Sequence, residues 1–143
     1  MTKYQYHFSL GALIFIGLFV AVISYWLLWP YRVLEIKNNP VPVNKKTVMA
    51  GDDITYTLDF CRYTDKPAIV TRQFIDGVVY TTPSITVLDK VRCGQRNTLV
   101  TVPRTLSADT YHMNVIVQIE VNPIRTVTYS FQTQEFEVLE HND

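Results

Sequence analysis

The sequence predicts a mainly β protein, an antiparallel β-sandwich preceded by one N-terminal transmembrane α-helix. Three observations predict it. A long apolar stretch near the N-terminus carries no charge. The rest of the chain alternates apolar and polar residues with period two. Turn residues recur between the alternating runs.

The helix comes first. From Tyr4 to Tyr31 there is no Lys, Arg, Asp or Glu, and Phe8 to Trp29 reads FSLGALIFIGLFVAVISYWLLW. At about 1.5 Å per residue that run spans roughly 33 Å, against a hydrocarbon core of about 30 Å. Tyr4 and Tyr6 flank one end, and Tyr25, Trp26, Trp29 and Tyr31 flank the other. They form an aromatic belt of rings suited to the headgroup level. Pro30 ends the helix. The run is longer than the apolar region of a cleaved signal peptide, and Trp29-Pro30-Tyr31-Arg32 offers no small-residue cleavage site. An uncleaved signal-anchor is therefore expected. Residues 1–7 read as a short tail, 8–30 as the anchor, 31–140 as the folded domain and 141–143 as a second tail. Gly17 and Ala21 form a small-xxx-small pair that would let two helices approach, leaving a homo-oligomer open. Lipid-facing small residues are the plainer reading of the same pair.

Charge divides the chain. Lys+Arg 13 balances Asp+Glu 13, and all of these except Lys3 lie beyond the apolar run. A neutral chain without a basic stripe argues against nucleic acid as a partner, because phosphate contacts dominate that affinity. Arg32, Lys37, Lys45 and Lys46 on the C-terminal flank would by naive counting hold the domain in the cytoplasm. Long domains, however, translocate largely regardless of charge. The expectation is a single-pass protein of the cell membrane, with a cytoplasmic N-terminus and a periplasmic or extracellular domain.

The strands follow. Ile54, Tyr56, Leu58 and Phe60 alternate with Asp53, Thr55, Thr57 and Asp59. Tyr111, Met113, Val115, Val117, Ile119 and Val121 form the clearest run, with Ile116 the one apolar residue on the opposite face. Val127, Tyr129 and Phe131 continue beyond Asn122-Pro123, but Phe136 and Val138 have the other parity. A β-bulge near 133–135 would absorb that slip. Ala50-Gly51-Asp52, Asp76-Gly77, Cys93-Gly94-Gln95 and Leu106–Asp109 read as turns, Asp76-Gly77 as a two-residue hairpin. About seven or eight short strands result, near 32–37, 46–49, 53–61, 68–75, 78–82, 85–91, 97–102, 110–121 and 126–138, the first two as one broken strand. Pro40 and Pro42 suit an interrupted edge strand, since proline cannot donate to a ladder.

The stretch Leu106-Ser-Ala-Asp109-Thr-Tyr111-His-Met-Asn-Val115 resembles the tyrosine corner of immunoglobulin-like and fibronectin-type-III-like domains. There a turn leads into the penultimate strand, and a Tyr near its start bonds back to the backbone. The resemblance implies an immunoglobulin-like sandwich with Tyr111, Asp109 and Leu106 as structural residues. It implies nothing about a ligand. Met113 stands where immunoglobulin domains place a Cys. In overall pattern the chain also looks like small anchored sandwich proteins of bacteria and their phages.

Candidate chemistry is sparse. Cys61 and Cys93 each end a predicted strand, and pairing them would close a loop of about 33 residues, for roughly 3–4 kcal/mol by chain entropy. Pairing belongs to an oxidising compartment, and free buried thiols to a reducing one. His7, His112 and His141 are scattered, with no metal-ligand spacing. His112 falls on an outward strand face. Asp52, Asp53, Asp59 and Asp65 form no calcium loop, and Gly 5 leaves no phosphate-binding loop. Arg62, Arg72, Arg92, Arg96, Arg104 and Arg125 suggest a shared rim, against the default of a solvated face. No catalytic, cofactor or metal site is therefore expected. The expected function is a membrane-anchored, non-enzymatic interaction or assembly module whose partners are the lipid bilayer and a protein. The alternative is a small regulatory or exclusion factor that acts through its transmembrane helix.

Overall fold

A computed structural model describes residues 3–140. Helix α1 (Lys3–Leu28) is followed by ten strands: β1 (Leu34–Ile36), β2 (Thr47–Met49), β3 (Asp53–Arg62), β4 (Ala68–Ile75), β5 (Val79–Thr81), β6 (Ile85–Val87), β7 (Arg92–Thr101), β8 (Asp109–Asn122), β9 (Arg125–Gln132) and β10 (Phe136–Leu139). The helix starts earlier than expected, so Lys3 to His7 are helical rather than a tail. The expected C-terminal tail, 141–143, lies outside the described residues. By length and composition, His7–Leu28 is long and apolar enough to cross a membrane, with a mean hydropathy of 2.4 and no part of it buried by the rest of the chain.

The strands form two open sheets. One has the order β1-β3-β7, all antiparallel. The other has the order β2-β10-β8-β4-β5, with β6 beside β4 and β9 beside β8. The short β2 runs parallel to β10, and the remaining pairs are antiparallel. Even-numbered residues of β3 and β4 and odd-numbered residues of β8 supply one core. Ile54, Phe74, Met113 and Ile119 have no exposed surface. The Tyr56 ring of the first sheet meets the Phe131 ring of the second edge-on, with centroids 6.1 Å apart.

The segment between β1 and β2 passes from one sheet to the other. Val41 bridges to Thr133 and Val43 to Tyr56. Pro40 and Pro42 fall on either side of Val41, where a missing N–H costs no ladder bond.

Beyond Asn122 the last expected strand divides in two. Gln132 pairs with Asn114 and Phe136 with Tyr111, so residues 133–135 stand opposite 112 and 113. One extra residue accounts for the parity slip. Thr133 repairs the ladder there. Its N–H donates to the Met113 carbonyl at 2.9 Å, and its Oγ1 accepts from the Met113 N–H at 2.9 Å. Thr133 is buried, so Thr133→Val is expected to strand a buried donor and lower stability by about 1–3 kcal/mol in denaturant unfolding.

Two turns differ from the sequence expectation. Cys93-Gly94-Gln95 lies within β7, and the chain turns at 88–91 instead. The Asp76-Gly77 hairpin has three loop residues, because Ile75 pairs with Val79. Gly77 takes φ +113°, a conformation that side chains rarely adopt, and the Asp76 carboxylate accepts from the Val78 N–H at 2.9 Å.

The β8–β9 turn meets the end of the helix. Asn122 Nδ2 donates to the Trp26 carbonyl at 2.9 Å, and Arg125 Nη1 donates to the carbonyls of Leu27 and Trp29 at 2.7 Å. The last turn of α1 has no basic residue of its own. A guanidinium from the folded part therefore satisfies carbonyls that a helix end leaves open, and complements its dipole.

Candidate binding cleft

The two sheets do not close along one side. There β7 ends the first sheet, while the second sheet offers only the three-residue strands β5 and β6 beside β4. A cleft of about 370 Å³ lies between them. Its floor is apolar, with Phe60, Val70, Val87, Val115 and Phe131 among the residues lining it.

Strand phase explains its polar side. Ile54, Tyr56, Leu58 and Phe60 of β3 face inward, and the next residue of that phase is Arg62. On β4 the inward series is Ala68, Val70, Arg72 and Phe74. On β7, Arg96 pairs with Leu58 and so shares its face. Three arginines therefore occupy positions where a closed core would carry apolar residues, and all three line the cleft with Asp89.

Their environments differ. Arg62 is buried, and its Nε donates to the Thr64 carbonyl at 2.8 Å while Nη2 donates to the Lys66 carbonyl. Burial pulls its pKa below the usual arginine range, partly offset by Asp89 and Asp65. Arg96 forms an ion pair with Asp89. Arg72 Nε is buried with no hydrogen-bond partner among the described residues. A buried donor left unpaired costs about 1–3 kcal/mol. Tyr56, Asp89, Asn97 and Thr98 are the cleft's other polar lining residues, and the lining includes no Ser, Cys or His. Among the described residues, no group of three or more His, Cys, Asp and Glu is placed to hold a metal ion.

The disulfide sits at one end of this side. Cys61 and Cys93 are direct partners on β3 and β7, with Sγ atoms 2.05 Å apart. The bridge lies within one sheet.

The remaining sequence candidates lie elsewhere. Tyr111 is fully buried, and its hydroxyl donates to the Ser107 carbonyl at 3.1 Å. Burial raises its pKa. Tyr111→Phe is expected to cost about 1 kcal/mol, the net value of one hydrogen bond, in thermal or urea unfolding. Leu106 is buried, while Asp109 is exposed at the start of β8. Gly17 and Ala21 lie on the exposed helix, and a Cβ at Gly17 would meet nothing within 4 Å.

The six arginines do not form one rim. Arg62, Arg72 and Arg96 meet at the cleft. Arg104 packs beside Gly51, Arg125 caps the helix, and Arg92 lies over the Phe60 ring, 5.6 Å from its centroid. The signal for the cleft was present in the sequence. Arg62 and Arg72 share the parity of the apolar residues before them, which a solvated face does not explain.

No protein-family model and no curated protein sequence matches the chain. Among solved structures it is similar to the Pseudomonas fluorescens alkylpurine DNA glycosylase AlkC bound to DNA containing an abasic site analog. The TM-score is 0.41 at 10% identity, over 74% of this chain and 30% of that one. It is also similar to the CARDB domain of the PF1109 protein from Pyrococcus furiosus, in complex with di-metal ions. Here the TM-score is 0.42 at 13% identity, over 78% of this chain and 99% of that one. The chain spans less than a third of the glycosylase.

Proposed function

We propose that this chain is a membrane-anchored, non-enzymatic interaction module whose immunoglobulin-like β-sandwich is displayed outside the cytoplasm. The observation that carries the reading is the cleft: an apolar floor with three inward arginines, beside a side of β7 that no strand pairs with among the described residues. Concave apolar surface with a few convergent polar groups is what binding sites offer. The strand order supports the sandwich, because sheet β1-β3-β7 faces a sheet in which β8 is flanked by β4 and by β9 with β10. The charge-free helix supports the anchor, and the disulfide supports an oxidising compartment. The helix-capping contacts of Arg125 and Asn122 hold the β8–β9 end of the domain next to the bilayer.

Exchanging residues 8–29 for an unrelated transmembrane segment tests the reading. Crosslinking in intact cells is expected to capture the same partner from the exchanged chain and to lose it on Arg72→Glu. Loss of the partner on helix exchange, with Arg72→Glu silent, would transfer the function to the helix and contradict the module.

A further inference from the structure

We propose that the cleft receives an extended polypeptide strand, which pairs along the free side of β7 and sets a carboxylate side chain against Arg72 and Arg96. The proposal rests on the reading of the domain as a binding module and specifies the chemistry of its partner.

Strand β7 pairs with β3 over its whole length, Asp53↔Thr101 to Arg62↔Arg92, and among the described residues no strand pairs with its other side. One wall of the cleft is therefore a row of backbone donors and acceptors. An aliphatic ligand would leave those groups to water. A second backbone satisfies them in register, as in strand addition to a sheet edge. Alternate side chains of an added strand point the same way, so every second residue would enter the cleft and complete the cover over Phe60, Val70 and Val87.

Charge selects what enters. The cleft holds three guanidinium groups and one carboxylate, Asp89. Arg62 already donates to two loop carbonyls and Arg96 is paired with Asp89, whereas the buried Arg72 Nε has no partner. A carboxylate accepts from a guanidinium fork, and such charge-assisted bonds are among the stronger ones. The partner segment is thus extended, apolar at alternate positions, and carries Glu or Asp at one inward position.

The test uses the full chain in phosphatidylcholine nanodiscs, with two capped seven-residue peptides as probes. One carries valine at positions 1, 5 and 7, glutamate at position 3 and threonine at the even positions, so that the glutamate shares a face with the valines, and the other has glutamine at position 3. Nitrogen-15 spectra follow the β7 amides and the arginine Nε–H groups. The glutamate peptide is expected to shift both sets saturably and to bind about tenfold more tightly than the glutamine peptide, one charge-assisted hydrogen bond's worth of affinity. Arg72→Met removes an unpartnered buried donor, so its fold is expected to persist and its preference for glutamate to vanish. Arg96→Gln is expected to narrow that preference, as a second variant with its own melting curve.

Equal affinity for the two peptides would overturn the proposal, as would the absence of saturable shifts on β7. Arginine shifts produced as tightly by N-acetylglutamate amide alone would also overturn it, reducing the cleft to a simple anion site. If the peptides fail while Arg72→Glu still abolishes capture of a partner in the helix-exchange experiment, the binding module stands and the strand partner falls.

Discussion

Replacing Phe74 with alanine is expected to lower the stability of the folded part by about 3–5 kcal/mol, the range for deleting a fully buried aromatic ring. Phe74 has no exposed surface, and its ring meets Phe136 edge-on with centroids 6.2 Å apart. The two residues lie on β4 and β10, on either side of β8, where Met113 is the register partner of Phe74. Removing the ring opens a hole among elements fixed by three strands, which cannot collapse to fill it. Leu88→Ala is the matching control. Leu88 is 75% exposed, and its truncation is expected to change stability by less than about 0.5 kcal/mol. Urea unfolding of the full chain in detergent measures both.

Breaking the Cys61–Cys93 bridge is expected to cost about 2–5 kcal/mol. The bridge closes a loop with a sequence separation of 32, which holds β4, β5 and β6. It also ties down an exposed edge. Among the described residues strand β7 pairs only with β3, and most of its residues are exposed up to Leu99, with Val100 the buried one. Without the bridge, fraying of β7 from the Arg92 end meets little resistance. Cys61→Ser, Cys93→Ser and the double variant are therefore expected to be equally destabilised, because any one of them removes the same link. Amide exchange in β7 is expected to accelerate more than in β8. Three variants with stabilities within about 0.5 kcal/mol of the parent, an ordinary surface-substitution effect, would mean that the link contributes nothing.

Much of the architecture was legible because it obeys local rules. The helix follows from a charge-free run, and β8 from six apolar residues at period two. The bulge at 133–135 follows from a change of parity between Phe131 and Phe136. What escaped has a physical reason in each case. Strand β7 reads Arg-Cys-Gly-Gln-Arg-Asn-Thr because its inner face borders an open cleft. It therefore lacks the alternation of a closed strand, and Gly94 looked like a turn. The turn that does exist, Leu88-Asp-Lys-Val91, contains no Gly or Pro. The parallel pairing of β2 with β10 joins Val48 to Val138, and no local pattern encodes so distant a contact. The cleft arginines were read as surface charge by residue type, although their strand phase places them on the inner face.

The placement of the domain outside the cytoplasm is the claim on which the functional reading rests. It joins the anchor to the disulfide, and Arg32, Lys37, Lys45 and Lys46 argue against it as retention signals. Labelling thiols in intact cells with a membrane-impermeant maleimide, with and without prior reduction, tests it most directly. Cys61 and Cys93 are the two cysteines of the chain, so any label reports on them. Labelling of unlysed cells is expected only after reduction. Thiols that react without reductant, and only after lysis, would place a reduced domain in the cytoplasm and contradict it.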